Sequence, residues 1–149
     1  MSSSSGRFVI AFNGEIYNFV KLRDQLTALG FCFQGHSDTE VILAAIEAWG
    51  LDQALAQFEG MFAIALYDQH EDRLFLVRDR VGEKPLYYTF NDGNFVFASE
   101  LKAILAVLEK HHKQINPNAL GAYFKYGYVP APLAMIDGVF KLGAGQKIS

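Results

Sequence analysis

Two pairs of short apolar segments in the middle of the chain constrain its fold more than any other feature. Segments 62–67 and 74–77 are separated by a short polar turn. Segments 86–90 and 95–98 flank a second turn, in which Gly93 can adopt the positive φ that tight turns require. Short strands joined by short turns are typical of antiparallel hairpins. The middle of the chain therefore predicts a mostly antiparallel sheet, and not a doubly wound nucleotide-binding fold.

Helices are predicted on both sides of this β-rich region. Apolar residues recur at spacings of three and four over residues 19–29, which is the period of an amphipathic helix. Ser37 and Glu40 form the pattern of a capping box ahead of a second helix, and Asn116-Pro117 places Pro at the first position of another. The chain as a whole is therefore predicted to have an α+β fold. The other predicted features are Asn18 as N-cap of the first helix, a buried strand at 8–12 that ends in a turn at Asn13-Gly14, a short strand at 31–33, a helix at 100–108 and a strand at 139–142.

Composition and charge exclude several classes of protein. The 149 residues include 13 Lys and Arg against 16 Asp and Glu, which gives a net charge of −3. Because no long basic run is present, nucleic acid is not an expected partner, and no apolar stretch approaches the ~18 residues of a membrane-spanning helix. Cys32 is the one cysteine of the sequence, so neither an internal disulfide nor a structural zinc site is expected. We expect a single cytoplasmic domain, preceded at residues 1–6 by a disordered tail or a cloning scar.

Three groups of residues with reactive side chains are expected to have structural roles and not catalytic or metal-binding ones. Cys32 lies in the predicted strand at 31–33, and unpaired cysteines are mostly buried, so we expect a small core residue and not a nucleophile. His36-Ser37-Asp38 contains the residue types of a catalytic triad, but adjacent residues cannot face one another in the required relay. His111-His112 is expected to be a solvated helix end, because no further ligand stands at metal-binding spacing. No metal site is therefore predicted.

Two patterns in the second half of the chain resemble ligand-binding loops. The charged segment R-D-R-V-G-E-K at 78–84 lies between strands. A solvated loop with weak ion pairs explains it, although ligand-binding residues also favour such loops. Gly138 and Gly143 have the spacing of a phosphate-binding loop, but Ala144 stands where that loop requires lysine. A phosphate site is therefore not predicted, and a ligand-binding role for segment 78–84 stays an alternative.

Asn13, Gly14 and Glu15 form the most informative polar group. A strand that delivers an amide, an unhindered backbone N–H and a carboxylate can donate two hydrogen bonds to an oxyanion and accept one from an ammonium group. Asp38, in the first turn of a predicted helix, is a second acidic candidate. Both also have structural explanations, because Asn-Gly is a common turn dipeptide and the helix dipole favours acidic residues near a helix N-terminus. From the residues alone, both interpretations stay open.

Five sequence motifs carry a resemblance to a known family. They are F-N-G-E-I-Y-N at 12–18, H-S-D-T-E-V at 36–41, F-E-G-M-F at 58–62, R-D-R-V-G-E-K-P-L-Y-Y at 78–88 and F-A-S-E-L-K-A-I at 97–104. In this order they closely resemble the glutamine amidotransferase domain of glutamine-hydrolysing asparagine synthetases. The resemblance covers residue 8 to the C-terminus, and segment 127–149 resembles the part of the family that leads into its synthetase domain.

The resemblance implies an N-terminal-nucleophile hydrolase fold, which is a four-layer αββα sandwich of two mostly antiparallel sheets. In that family an N-terminal cysteine attacks the side-chain amide of glutamine, its own α-amino group acts as base, and ammonia is released. Carried over residue by residue, the Asn13 side-chain amide and the Gly14 backbone N–H would donate to the oxyanion. Glu15 and Asp38 would hold the α-amino group of glutamine, which is the small-molecule ligand that the resemblance implies.

The chain also departs from the family's pattern. Family members begin with Met-Cys-Gly and contain an R-H-R-G-P-D segment that binds the substrate carboxylate, and the sequence holds neither. Cys32 is internal and has no α-amino group to act as its base. We therefore expect residues 7–149 to be an incomplete glutaminase domain that does not hydrolyse glutamine as it stands. ATP and Mg²⁺ would belong to the absent synthetase domain, so no cofactor is expected in this chain.

Two alternatives to the leading hypothesis stay open. The leading hypothesis is that the chain is part of a domain that supplies ammonia for the ATP-dependent amidation of aspartate. The N-G-E-I-Y-N form favours it, because this form is similar to that of asparagine synthetases. One alternative is a non-catalytic binding module that forms a homo-oligomer through an exposed sheet edge. The other is a fragment of an amidotransferase that acts on a carboxylate of a sugar.

Overall fold

A computed structural model describes residues 1–109 and 113–149, and the predicted helix end at His111-His112 lies outside them. The described chain consists of two compact units, Met1–Val77 with Lys147–Ser149, and Arg78–Gln146. The fold is α+β with two antiparallel sheets, as predicted. The strands are β1 (Phe8–Ile16), β2 (Gly60–Asp68), β3 (Arg73–Arg78), β4 (Tyr87–Asn91), β5 (Asn94–Ala98), β6 (Val139–Lys141) and β7 (Lys147–Ile148). The helices are α1 (Phe19–Ala28), α2 (Asp38–Trp49), α3 (Leu51–Gln57), α4 (Leu101–Val107) and α5 (Pro117–Tyr126).

The sheet of the first unit has the strand order β1-β2-β3-β7. β1 and β2 pair antiparallel over nine positions, from Phe8 opposite Asp68 to Ile16 opposite Gly60. Apolar β1 side chains such as Phe8 and Ile16 are buried in a core to which α2 also contributes. This long pairing fixes the direction of every β1 side chain.

The predicted end of the first strand is wrong. Asn13 and Gly14 do not form a turn, because they continue β1 opposite Ala63 and Phe62 of β2. The strand ends only at Ile16. Asn-Gly is a common turn dipeptide, but pairing with a neighbouring strand overrides local preference, and here β2 runs alongside the whole dipeptide.

Residues 1–6 are not a disordered tail in the structure. The amino group of Met1 donates to the Ile10 carbonyl, and the Ile10 N–H donates to the Met1 carbonyl, both at 2.9 Å. Ser3 is buried, and its N–H donates to the Phe8 carbonyl at 2.8 Å. The segment is ordered because it satisfies backbone groups along part of the outer edge of β1.

Glu47 on α2 also holds this N-terminal segment. Its carboxylate accepts hydrogen bonds from the Ser4 hydroxyl at 3.0 Å, from the Ser5 N–H at 3.3 Å and from the Ser5 hydroxyl. Desolvation on partial burial would raise the pKa of Glu47, but hydrogen bonds from the serine residues lower it below its ordinary value. The serine residues of this segment therefore act as hydrogen-bond donors to Glu47. Hydrophobic periodicity in the sequence does not indicate such a contact.

Helices α1 and α2 begin where the sequence predicts, after Asn18 and Ser37. The Ser37 hydroxyl accepts a hydrogen bond from the Thr39 N–H at 3.1 Å, which is an N-cap bond to the second residue of the helix. The sequence does not predict α3 or β7. Each is too short to show a hydrophobic period.

The predicted strand at 31–33 and the predicted burial of Cys32 are both wrong. Within the described residues, this segment has no strand pairing, and Phe31 and Phe33 pack half-buried against the core of the first unit. Cys32 is exposed. The two phenylalanines take the positions against the core, and Cys32 between them is left outside it.

The sheet of the second unit has the strand order β5-β4-β6. β4 and β5 form the predicted hairpin, and its turn residues Asp92 and Gly93 have φ values of 50° and 77°, as a type I′ turn requires. One face of this sheet packs through Val139 against Ile104 and Leu108 at α4. The predicted helix at 100–108 and the predicted strand at 139–142 are thereby confirmed.

Helix α5 also begins as predicted. The Asn116 side chain accepts hydrogen bonds from the N–H groups of Asn118 and Ala119, and Pro117 occupies the first helical position. Gly127 ends the helix in the left-handed conformation, at φ 78°. None of the helices in the described ranges has both the length and the apolar character needed to cross a bilayer.

Candidate functional site

Asn13 and Glu15 lie on one face of β1. Successive side chains of a strand point to opposite faces, and Ile16 is buried whereas Asn13 and Glu15 are exposed. Pairing with β2 places Asn13 opposite Ala63 and Glu15 opposite Met61. The two polar side chains are therefore neighbours, with backbones about 7 Å apart along the strand.

The backbone N–H of Gly14 points to the outer edge of β1. In an antiparallel strand, N–H groups of successive residues point alternately to the two sides. The Ile10 N–H donates to Met1 at 2.9 Å and the Ile16 N–H donates to Asp38 at 3.0 Å, both on the side away from β2. Gly14 lies an even number of residues from both, so its N–H has the same direction. A backbone donor and two polar side chains are thus grouped on three consecutive residues.

Two glycines allow β1 and β2 to approach closely around Glu15. A Cβ added to Gly14 would lie 2.1 Å from the Met61 carbonyl oxygen, and a Cβ added to Gly60 would lie 2.1 Å from the Glu15 carbonyl oxygen. Neither distance is possible for nonbonded atoms, so only glycine fits at either position. Sequence reasoning does not single out Gly60, although a glycine inside a strand is the usual signal of a close backbone approach.

Asp38 connects the second motif to β1. It is the first residue of α2, and its Oδ2 accepts a hydrogen bond from the Ile16 N–H at 3.0 Å. The Thr39 hydroxyl lies 3.4 Å from Oδ1. Because Ile16 directly follows Glu15, the structure brings Asp38 to the same end of β1 as the N-G-E segment, although 22 positions separate Ile16 from Asp38.

Glu40 does not complete the predicted capping box. In that motif its carboxylate would accept a hydrogen bond from the backbone N–H of Ser37. Instead, it accepts from the N–H groups of Gln34, at 2.7 Å, and Gly35, at 3.0 Å. The carboxylate therefore holds the segment that leads into α2, and Asp38 lies within the turn that these bonds close.

The Asn18 side chain fastens the end of the first motif to the start of the third. Its Nδ2 donates to the Gln57 carbonyl at 2.9 Å, and its Oδ1 accepts from the Glu59 N–H at 3.1 Å. The Tyr17 N–H donates to the Glu59 carbonyl at 2.7 Å. Asn18 occupies the predicted N-cap position, but in the described chain its side chain makes these bonds and does not cap α1.

A cavity of about 420 Å³ in the first unit is not lined by the candidate residues Asn13, Glu15 and Asp38. Residues 1–4 and 31–35 form much of its wall, and Cys32 is among them. Glu40 lines the cavity, but Asn13, Glu15 and Asp38 do not. The candidate residues are therefore grouped along β1 and the start of α2, and not around this cavity.

The charged segment 78–84, in the second unit, is solvated only in part, because Arg80 and Glu83 are exposed but the first two residues are buried. Arg78 and Asp79 are 9% and 1% exposed. The Asp79 carboxylate accepts hydrogen bonds of 2.6 to 3.1 Å from the N–H groups of residues 81–84. The Arg78 guanidinium donates to the carbonyls of two loop residues and of Leu142. These charges stabilise the backbone of the loop, so a ligand is not needed to explain them.

Other charged groups of the described chain also have structural roles. The Arg7 guanidinium contacts the buried Asp68 carboxylate at 2.6 Å and holds the pKa of Asp68 at about 2. This pair lies at the opposite end of β1 from Glu15, since Phe8 is the residue opposite Asp68. In residues 1–109 and 113–149, no three His, Cys, Asp or Glu side chains are arranged to hold a metal ion.

Known proteins match the chain in sequence and in structure. The family model described as glutamine amidotransferase domain matches residues 1–149. The chain is 35% identical over 149 residues to asparagine synthetase [glutamine-hydrolyzing] 1 of Bacillus subtilis, which covers 100% of this chain and 23% of that protein. It is 44% identical over 99 residues to asparagine synthetase [glutamine-hydrolyzing] 3 of the same organism, covering 66% of this chain and 16% of that protein.

Among solved structures, the chain resembles glutamine phosphoribosylpyrophosphate amidotransferase from B. subtilis, complexed with ADP and GMP. The TM-score is 0.61 and the identity 28%, over 70% of this chain and 24% of that chain. The chain spans only part of the length of the curated relatives it matches, for example 27% and 23% for two of them.

Proposed function

The chain belongs to the glutamine amidotransferase domain family and is related to glutamine-hydrolysing asparagine synthetases, and we propose that it provides part of a glutamine-binding site. The observation that carries this proposal is the grouping of Asn13, Gly14 and Glu15 on β1 with Asp38 hydrogen-bonded to Ile16. The arrangement combines hydrogen-bond donors with two carboxylates, as recognition of an amide and an ammonium group on one ligand requires.

The donors of this site are the Gly14 N–H and the Asn13 side-chain amide. When a nucleophile adds to the side-chain carbonyl of glutamine, negative charge develops on the oxygen. Donors that are already in place stabilise this charge without reorganising. Gly14 suits this role because its N–H points to the outer edge of β1 and because the close approach to Met61 fixes its backbone.

The acceptors of this site are the carboxylates of Glu15 and Asp38. A glutamine α-ammonium group carries a positive charge, and hydrogen bonds between charged groups are stronger than those between neutral groups. Asp38 uses Oδ2 to bind the Ile16 N–H. This bond anchors the carboxylate near Glu15, from the neighbouring α2. Oδ1 accepts only one long hydrogen bond of 3.4 Å from the Thr39 hydroxyl among the bonds described for it, and we propose that it also accepts from the ammonium group.

Cys32 does not act as a nucleophile in this proposal. It is internal, so its own nitrogen is a peptide nitrogen that cannot act as base, and it lies in the wall of a cavity that excludes Asn13 and Glu15. We infer that the 149-residue chain binds glutamine without hydrolysing it. In the family that the chain resembles, glutamine hydrolysis would supply ammonia for an ATP-dependent amidation of aspartate, and we propose that this chain contributes only glutamine-binding groups to that reaction. The four-layer αββα arrangement is a further part of this proposal that rests on the family resemblance.

Calorimetric titration of the chain with two ligands tests the proposed site. The ligands are L-glutamine and glutaramate, which has the same side-chain amide but no α-amino group. A charge-assisted hydrogen bond contributes about 1.5–3 kcal/mol, so glutamine is expected to bind at least about tenfold more tightly. Equal affinities for the two ligands, or no binding of glutamine, would contradict the proposal.

A further inference from the structure

We propose that Glu40 is a positioning residue, which fixes Asp38 in the direction needed to meet the α-ammonium group of glutamine. This inference rests on the proposed function of Asp38 and adds a residue that holds the Asp38 side chain in its position. Glu40 does not touch the ligand in this account. It acts through the backbone of the segment that precedes α2.

The hydrogen bonds of Glu40 are unusual for its position. One carboxylate accepts from two consecutive backbone N–H groups, with Oε1 2.7 Å from the Gln34 nitrogen and Oε2 3.0 Å from the Gly35 nitrogen. Both oxygens are thus committed to a single short stretch of backbone. Consecutive N–H groups bound to one carboxylate restrict the orientation of both peptide planes, because hydrogen bonds weaken steeply away from linearity.

These bonds close a turn from Gln34 to Glu40, and Asp38 lies inside it. Ser37 tightens the same turn, because its hydroxyl accepts from the Thr39 N–H at 3.1 Å. The Asp38 backbone is therefore held on both sides. Its side chain is left to reach across to β1, where Oδ2 accepts from the Ile16 N–H at 3.0 Å.

The two carboxylates of the first turn of α2, those of Asp38 and Glu40, bind different parts of the chain. Glu40 binds its own preceding backbone, and Asp38 binds a different element. If Glu40 loses its bonds, the segment at 34–37 loses its restraint and the contact between Asp38 and Ile16 weakens. Glu40, as the third residue of α2, can also stabilise the helix through the favourable interaction of acidic groups with a helix N-terminus, so the test must separate charge from geometry.

Amide hydrogen exchange of Ile16 measures the contact without any ligand. The variants are Glu40→Gln, which removes the charge, and Glu40→Asp, which keeps the charge but is too short to reach both N–H groups. The matched control is Glu47→Gln, which removes a hydrogen-bonded carboxylate from the same helix. We expect exchange at Ile16 to accelerate about tenfold in both Glu40 variants, with exchange at the core residue Ile64 unchanged.

Ligand selectivity provides the second measurement. A positioning role predicts that both Glu40 variants lose glutamine affinity and keep their affinity for glutaramate, whereas a purely structural role lowers both affinities together. Ile16 exchange equal to that of Glu47→Gln, or parallel loss of both affinities, would overturn the proposal. If Ile16 exchange accelerates but the unmodified chain does not prefer glutamine, Glu40 positions Asp38 and the proposed function is what fails.

Discussion

Asp38 accepts a hydrogen bond of 3.0 Å from the backbone N–H of Ile16, and this bond joins two motifs that lie 22 positions apart. On the strand, the neighbour of Ile16 is Glu15, whose side chain lies on the exposed face with Asn13. The bond therefore holds the start of α2 at the end of β1 that carries Glu15.

Asp38→Asn separates the charge of this residue from its structural contact. The asparagine side chain keeps a carbonyl oxygen that can accept from the Ile16 N–H but loses the negative charge. We expect glutamine affinity to fall by about tenfold to a hundredfold, while glutaramate affinity and stability change little. Calorimetry and thermal unfolding measure these quantities. Asp24→Asn, at an exposed position of α1, is the matched control and should leave both affinities unchanged.

Gly60→Ala tests the close approach of β1 and β2. The added Cβ would lie 2.1 Å from the Glu15 carbonyl oxygen and 3.0 Å from the Ile16 Cα, so the strands must separate. We expect the free energy of unfolding to fall by at least about 2 kcal/mol, as measured by urea denaturation. Gly121→Ala in α5 has open space around it and should stabilise the chain by about 0.5–1 kcal/mol. Equal effects of the two changes would contradict the close approach.

The Arg7 and Asp68 pair predicts a specific dependence of stability on pH. The hydrogen bond from Arg7 lowers the pKa of Asp68 to about 2 in the folded chain, against about 3.9 for an unfolded aspartate. The contribution of this carboxylate is therefore complete above about pH 4 and is lost as the pH falls towards 2. Urea denaturation should show the stability difference between the unmodified chain and Asp68→Asn shrinking over this interval, and a constant difference would refute the assignment.

Glutamine hydrolysis tests the role of Cys32. Cys32 lies in the wall of the 420 Å³ cavity and not in the proposed glutamine-binding site. Because it therefore cannot attack a glutamine bound there, we expect the chain to release no ammonia above a blank without protein. Cys32→Ser should leave glutamine affinity unchanged. Ammonia release that is abolished by this substitution would make Cys32 a nucleophile and contradict the account.

The sequence predicts those features that depend on local pattern. Helix α1 follows from its apolar spacing, and the hairpin of β4 and β5 follows from its turn, in which Gly93 adopts the positive φ that the sequence predicts. The candidate residues Asn13 and Asp38 follow from the family resemblance. In each of these cases, the information lies within a few consecutive residues or within a motif.

The sequence does not predict contacts that depend on distant partners. Asn-Gly at 13–14 is a turn by local preference, and only pairing with β2 makes it a strand. The roles of Gly60 and Glu40 depend on which backbone lies opposite each residue. Burial of Asp79 among four backbone N–H groups also has no local signal, because the same residues would suit a solvated loop.

The most direct test of the central claim is an NMR titration of the ¹⁵N-labelled chain with L-glutamine. The account predicts saturable shifts of the Gly14 backbone amide and the Asn13 side-chain amide, and weaker shifts at Gly14 in the Asp38→Asn variant. Gly121, in the second unit, should not shift. Saturable shifts confined to the wall of the Cys32 cavity, at residues 1–4 and 31–35, or no saturable shift at all, would contradict it.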